Sequence, residues 1–341
     1  MKRRFIVILS LFLAMEFLPA LSIRQTTALN DSPSRNSSSS GTEARQTDGT
    51  EDCFVILDTE SGKTFEINER KFLYGALSYE MPPSFEPEAL KAQAVAVYTY
   101  FSRLRNVQRS SPDPELKGAD FSADLSAGQF YLSEDQLKER WGSSFEQSYK
   151  KIKAACDSVY GLVLTDKNGE LIDAAYHAIS NGSTENAEDV FGIKNEHLSS
   201  VASPGDAFAP DYITDVVFSG DEFRDTLKAA DNKISFSGKP EDYIKSIDRT
   251  AAGTVRSIDI CGCTFTGDQI RKAFSLRSAA FEVEYSGSLF TFTVRGYGHG
   301  VGLSQYGAQY MAKNGAGYKE ILTHYYTNVL VKNNLEFGNR N

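Results

Sequence analysis

The stretch "YEMPPSFEPEALKAQAVAVYTY", residues 79–100, constrains the fold most. Pro82 and Pro83 fix φ and push the residue before them into extended backbone, so the chain is stiff just after Glu80. Ser84 or Glu86 can cap a following helix, and Pro87 suits its first position, where a missing N–H costs nothing. Glu86 and Glu88 then lie at the helix start, where the macrodipole favours negative charge. Ala89, Ala92, Ala94 and Ala96 are small enough to let another backbone approach closely. We therefore expect a central helix over residues 87–106, roughly 30 Å long at about 1.5 Å per residue.

Glu80 differs from Glu86 and Glu88. It lies outside that helix, after apolar Phe72, Leu73 and Leu77 and before Met81 and the proline pair. A carboxyl held among apolar groups is harder to ionise, so its pKa rises. That prepares a general acid for work near neutral pH. Glu80 is thus the candidate catalytic acid and Glu88 the second candidate; a surface glutamate is the plain alternative.

Two further stretches carry polar groups. "YHAISNGSTENAEDVFG", residues 176–192, presents Ser180, Asn181, Ser183, Thr184, Glu185 and Asn186. Such short amides and hydroxyls line sugar-binding loops, and they also fill ordinary ones. "RGYGHGVGLSQYGAQ", residues 295–309, brackets His299 with Gly296, Gly298, Gly300 and Gly302. Alternate glycines are costly in backbone entropy, so close backbone approach or unusual dihedrals are needed here. A phosphate loop is the rival reading, but the Walker lysine is missing and no dinucleotide fingerprint sits in a βαβ context. His299, with Ser304 and Gln305 at the start of the next helix, is the candidate group. The four histidines are scattered without H-E-x-x-H, and no G-x-S-x-G elbow occurs.

The formal net charge of −9 argues against a nucleic-acid partner. Lys2, Arg3 and Arg4 are followed instead by an apolar run, which fits a signal peptide or a single membrane anchor. We read residues 1–24 as an export signal retained as an anchor, with its basic flank on the cytoplasmic side. Residues 25–51 are Ser-rich and too polar to bury a core, so they read as a flexible tether. A catalytic domain then spans 52–334, with a tail over 335–341. Cys53, Cys156, Cys261 and Cys263 are too few for a disulfide scaffold, and read as buried thiols or one bridge.

Within the domain, "CFVILD" and "KTFEI" look like paired strands. "EDQLKERWGSSFEQSYKKIKAACDSV" reads as one or two helices, and "YGLVLTDKNGELIDAAYHAIS" as a hairpin across Asn168-Gly169. Strands and helices intermingle without a βαβ rhythm, so the expected class is α+β, with mixed sheets around the Ala-rich helix.

Together these stretches resemble the stage II sporulation protein D family of lytic transglycosylases and amidase enhancers. The resemblance is carried by residues 79–100, "SNGSTENAEDVFG", "LSSVASPGD", "TFTGDQIRKAFSLRS", "GYGHGVGLSQYGAQYMAKNG" and "YKEILTHYYTNV". It implies a peptidoglycan enzyme of forespore engulfment, anchored outside the cytoplasm on the mother-cell side of the septum. It implies cleavage of MurNAc-β-1,4-GlcNAc bonds in glycan strands stripped of stem peptides. It also implies partnership with an amidase and with membrane-anchored engulfment proteins. The family's catalytic glutamate, in E-M-P, falls on Glu80, and the loop Ser180 to Glu185 with the segment His299 to Tyr306 would line the sugar cleft. The alternative from another class is a glycan-binding enhancer of an amidase, with Glu80 merely structural. A metal-dependent hydrolase is the third reading.

Two positions depart from the family. Tyr98 stands where members often carry Arg, which puts that arginine's polar contact in doubt. Some members hold zinc with His and Cys downstream of the long helix, but "KGADFSADLSAGQFY" has neither residue type. We therefore expect no metal there and no cofactor.

Overall fold

The computed structural model describes residues 52–334; the expected anchor, tether and tail lie outside the described residues. The chain opens with β1 (Cys53–Asp58) and β2 (Thr64–Asn68), antiparallel with Leu57 opposite Thr64, as the sequence predicts. Asn68 then starts α1 (Glu69–Glu80), its side chain accepting from the N–H groups of Arg70 and Lys71. Phe72, Leu73, Ala76 and Leu77 make one buried face of α1. The helix stops at Met81, which is extended ahead of Pro82.

The long helix α2 (Pro87–Ser110) forms as expected and is central. Ala89, Ala92, Ala94 and Ala96 are completely buried, and other helices pack closely against them. Glu86 occupies the cap position but makes no side-chain capping bond; its backbone N–H donates to the side-chain Oε1 of Gln309 at 2.6 Å. Tyr98 on α2 donates to Glu69 Oε2 at 2.6 Å, and Arg105 pairs with Glu69 Oε1. A hydroxyl thus keeps a polar contact at position 98, while the cation comes from two turns further along.

β3 (Phe121–Ala123) lies parallel to β1, in a stretch whose sequence reads as loop. The next helical stretch divides at Gly142 into α3 (Glu134–Trp141) and α4 (Phe145–Val159). β4 (Leu162–Thr165) enters the Asn168-Gly169 turn, closed by Asp166 N–H to Glu170 O at 2.8 Å. The second arm of that hairpin leaves β4 after a bridge at Leu171. Its end becomes β5 (Tyr176–His177), which runs parallel to residues 303–304, while β4 pairs with the last strand. The short helix α5 (Ala187–Phe191) follows.

Residues 213–295 build a second core of their own. β6 (Ile213–Ser219), α6 (Gly220–Ala230), β7 (Ile244–Arg249), β8 (Val255–Ile260), β9 (Cys263–Thr266), α7 (Gly267–Ala273), β10 (Phe281–Ser286) and β11 (Leu289–Arg295) follow in order. They form two sheets, ordered β10-β11-β6 and β7-β8-β9, around Phe223, Phe281, Phe290 and Phe292. The ends of this inserted unit meet where Gly296 N–H bonds Tyr212 O at 2.9 Å. The chain then returns to the main core through β12 (Leu303–Ser304), α8 (Gln305–Lys313), α9 (Tyr318–Tyr325) and β13 (Leu330–Asn333). The result is α+β, with several small sheets. No disulfide joins any of the four cysteines, so the bridge allowed by the sequence does not form.

Candidate functional site

Glu80 ends α1, and two remote elements hold its carboxyl. Tyr176 of β5 donates its hydroxyl to Oε1 at 3.1 Å, and Gln305, the first residue of α8, donates Nε2 to Oε2 at 3.2 Å. The β5–β12 pairing sets Leu303 opposite Tyr176, and so delivers Gln305 beside it. Tyr176 and Gln305 are both buried. Burial lifts the Glu80 pKa from its ordinary value to about 7, against the pull of the Gln305 and Tyr176 bonds. Its place at the negative end of α1 also disfavours the anion. Near neutrality this side chain can give a proton and then exist as a carboxylate with a donor on each oxygen.

Glu88 has the opposite environment. Its burial is opposed by Lys91 Nζ, 2.6 Å from Oε1, and by the Tyr318 N–H, 2.9 Å from Oε2. Those contacts hold its pKa below the ordinary carboxylate range. Glu88 therefore stays charged and ties the start of α2 to the start of α9.

The remaining predicted residues fall into two further groups. Ser180 and Ser304 turn inward: both hydroxyls donate to buried Asp206, Ser304 at 2.6 Å. Ser304 also caps α8, accepting from Gly307 N–H. Buried Thr184 accepts from Val201 N–H at 2.9 Å. These three brace the polar loop from beneath.

Asn181, Ser183, Glu185 and His299 instead line a shallow cleft, whose other wall is the inserted unit's Thr254, Ser278, Ala279, Ala280 and Arg295. Asn181 Nδ2 donates to Ala252 O at 2.9 Å, and Glu185 Oε1 accepts from Thr250 Oγ1 at 2.9 Å. His299 accepts Val301 N–H at Nδ1, 3.1 Å away. Burial, with His177 and Arg271 nearby, lowers the His299 pKa to about 3 despite the opposing Tyr176 carbonyl, so the ring is neutral.

Glu80 does not line this cleft. Successive strand residues point to opposite faces. Tyr176 accordingly meets Glu80, while the His177 ring lies 5.7 Å from that of His299. Tyr306 joins neither group directly; it packs edge-on against Phe85 at 5.0 Å.

The glycine run has a steric cause. Gly302 has φ +74°, and a Cβ there would lie 2.0 Å from Ala175 O. At Gly300, φ +82°, a Cβ would lie 3.1 Å from Glu185 Cγ. The segment carrying His299 therefore presses against Glu185 of the polar loop and against Ala175 just before β5.

Sequence reasoning missed Tyr176, Asp206 and the contribution of the inserted unit. Tyr176 opens the quoted polar stretch, and Asp206 lies in "SPGD"; neither has a local signal of its contacts. The helical nature of 69–80 was legible in Asn68 as cap and the apolar face at Phe72, Leu73 and Leu77.

The fold is α+β, with a half-buried glutamate of raised pKa on one face of β5 and a polar cleft on the other. A family model described as stage II sporulation protein matches residues 58–165. The chain is 38% identical over 275 residues to stage II sporulation protein D of Bacillus amyloliquefaciens, covering 80% of this chain and 77% of that one. It is 37% identical over 271 residues to stage II sporulation protein D of Bacillus subtilis (strain 168), covering 80% and 76%. A more distant relative is the amidase enhancer of Bacillus subtilis (strain 168), 27% identical over 288 residues, 74% of this chain and 39% of that protein. The chain belongs to the stage II sporulation protein D family.

Proposed function

We propose that the protein is a peptidoglycan lytic transglycosylase of sporulation, with Glu80 as acid and then base. The observation that carries this reading is the Glu80 carboxyl, lifted to a pKa of about 7 and held by Tyr176 and Gln305. A glycoside hydrolase needs a second carboxylate to activate water or attack the sugar. A transglycosylase uses the C6 hydroxyl of the MurNAc residue, so one glutamate suffices. Glu80 gives its proton to the glycosidic oxygen and the C–O bond breaks. The resulting carboxylate takes the proton of the C6 hydroxyl as that oxygen bonds C1, which restores the acid and leaves a 1,6-anhydro end. Glu88 is charged at neutral pH and suits neither step.

The substrate is a glycan strand stripped of stem peptides by a partner amidase. The enzyme works in the extracytoplasmic space, anchored through its N-terminal segment beside other engulfment proteins. Asn181, Ser183, Glu185 and His299 contact the strand; Ser180, Thr184 and Ser304 hold the loop, and Gln305 positions Glu80. Tyr306 borders the strand next to Phe85.

Mass spectrometry of denuded strands treated with the full chain tests this. Anhydro-ended products that vanish with Glu80→Gln and persist with Glu88→Gln support it; reducing ends, or full activity of Glu80→Gln, overturn it. The second reading, a glycan-binding enhancer of an amidase, draws on the name of the more distant relative. It predicts binding of denuded strands with no soluble product.

A further inference from the structure

Asp206 is a completely buried carboxylate whose partners are hydroxyls rather than cations. Ser180 Oγ of the polar loop donates to Oδ2, and Ser304 Oγ, at the end of β12, donates to Oδ1 at 2.6 Å. Ser203 adds a third hydroxyl and carries the network to the Tyr325 hydroxyl of α9, 2.7 Å away. Burial pushes the Asp206 pKa up, against the pull of Ser180, Ser304 and Ser203. A buried carboxylate without a cation is expensive, and apolar packing would fill the same place at lower cost. Its presence is accounted for by what its acceptors hold.

They hold the start of α8. Residues 204–208 pack against that helix and bring Asp206 beneath its first turn. Ser304 has a single hydroxyl hydrogen. Given to Asp206, it leaves the lone pairs free for the Gly307 N–H, 3.3 Å away, which caps the helix. Gln305 is the next residue, and its amide is the donor on Glu80 Oε2 at 3.2 Å. A hydroxyl and the following peptide bond thus link Asp206 to the group that holds Glu80. We propose that Asp206 is a positioning residue for Glu80: through Ser304 it fixes the first turn of α8, and with it the Gln305 amide against the Glu80 carboxyl. Its bond to Ser180 ties the polar loop to the same carboxylate and is separate from that task. The proposal rests on the reading of Glu80 as the acid. The rival is that the β5–β12 pairing places Gln305 by itself, with Asp206 serving the fold alone.

Glu80 is titrated in the full chain without substrate, by infrared difference spectroscopy of the protonated-carboxyl band that Glu80→Gln removes. The other ionisable groups facing Glu80 are Tyr79, Tyr100 and Tyr176, phenols that burial keeps neutral through this range. The Gln305 bond favours the ionised carboxyl, so its loss raises the midpoint. Asp206→Ala should raise it by about one pH unit, the worth of one hydrogen bond to a charged group. In a Gln305→Leu background the same change should add nothing, because the two act in series. Ser304→Ala cuts the link to α8 and should raise the midpoint as Asp206→Ala does. Ser180→Ala cuts only the link to the polar loop and should leave it in place. Where Asp206→Ala does not fold, the two serine variants decide. A midpoint unmoved by folded Asp206→Ala or by Ser304→Ala overturns the proposal. So does an equal shift with Ser180→Ala, or an Asp206→Ala shift that persists in the Gln305→Leu background. Glycan cleavage is scored separately. These shifts without cleavage sink the enzymatic reading alone, and cleavage with an unmoved titration sinks this one alone.

Discussion

Gln305 Nε2 lies 3.2 Å from Glu80 Oε2, although 225 residues separate them in the chain. The contact is made by the parallel β5–β12 pair, which aligns Leu303 with Tyr176 and so starts α8 beside the end of α1. Two donors hold a carboxyl that burial has lifted to about 7, so its protonation changes near neutral pH.

Glu80→Gln is expected to reduce glycan cleavage by about 10²–10⁴-fold, the usual range for a lost general acid. It should not destabilise the fold. The native state holds the Glu80 proton up to about pH 7, while the unfolded chain releases it near the ordinary value of 4.5. Native protein therefore binds more protons between those values, and stability falls as pH rises through that window, by roughly 3 kcal/mol if the shift is fully expressed. Urea unfolding at pH 4 and pH 8 checks this: the glutamine variant should lose that slope.

Tyr176→Phe removes a bond that favours the ionised carboxyl, so the Glu80 pKa should rise further. Activity that requires the acid form falls above that pKa. The alkaline limb of kcat/KM against pH should accordingly move to higher pH in the variant. An unmoved limb would mean that Tyr176 only packs.

Glu88→Gln should leave cleavage close to normal and weaken the fold by about 1 kcal/mol or less, since the Lys91 pair is partly exposed. The Glu88 pKa is depressed in the folded state. Its contribution is present above the unfolded value and is lost as pH falls through the folded one. Thermal melts of both proteins should converge in acid.

Arg105→Met strips the cation from Glu69, which is completely buried. The loss should be about 3–5 kcal/mol, because a charge remains inside with only the Tyr98 and Tyr160 hydroxyls for company. Gly302→Ala should cost about 3 kcal/mol or more, since φ is +74° and the new Cβ meets the Ala175 carbonyl. Equilibrium denaturation measures both.

What the sequence determined by itself was local. Pro87, the first-turn glutamates and the alanines specified α2, and alternation specified β11, because capping, φ restriction and side-chain period act within a few residues. Four closely spaced glycines signalled a steric constraint, and an apolar setting marked Glu80 as different from Glu86 and Glu88. Tertiary structure alone decided the partners. The turn expected across Asn168-Gly169 forms, but the arm after it pairs with β4 only near Leu171, and β5 pairs with β12 while β13 takes the other edge of β4. One polar loop was divided by side-chain direction: Ser180 and Thr184 face inward, and Asn181, Ser183 and Glu185 face a cleft whose second wall comes from residues 254–295. Tyr176 reached Glu80 and His177 reached His299 because neighbours on a strand point to opposite faces. Which contacts each face meets depends on chain closure over long separations, and no local pattern encodes that.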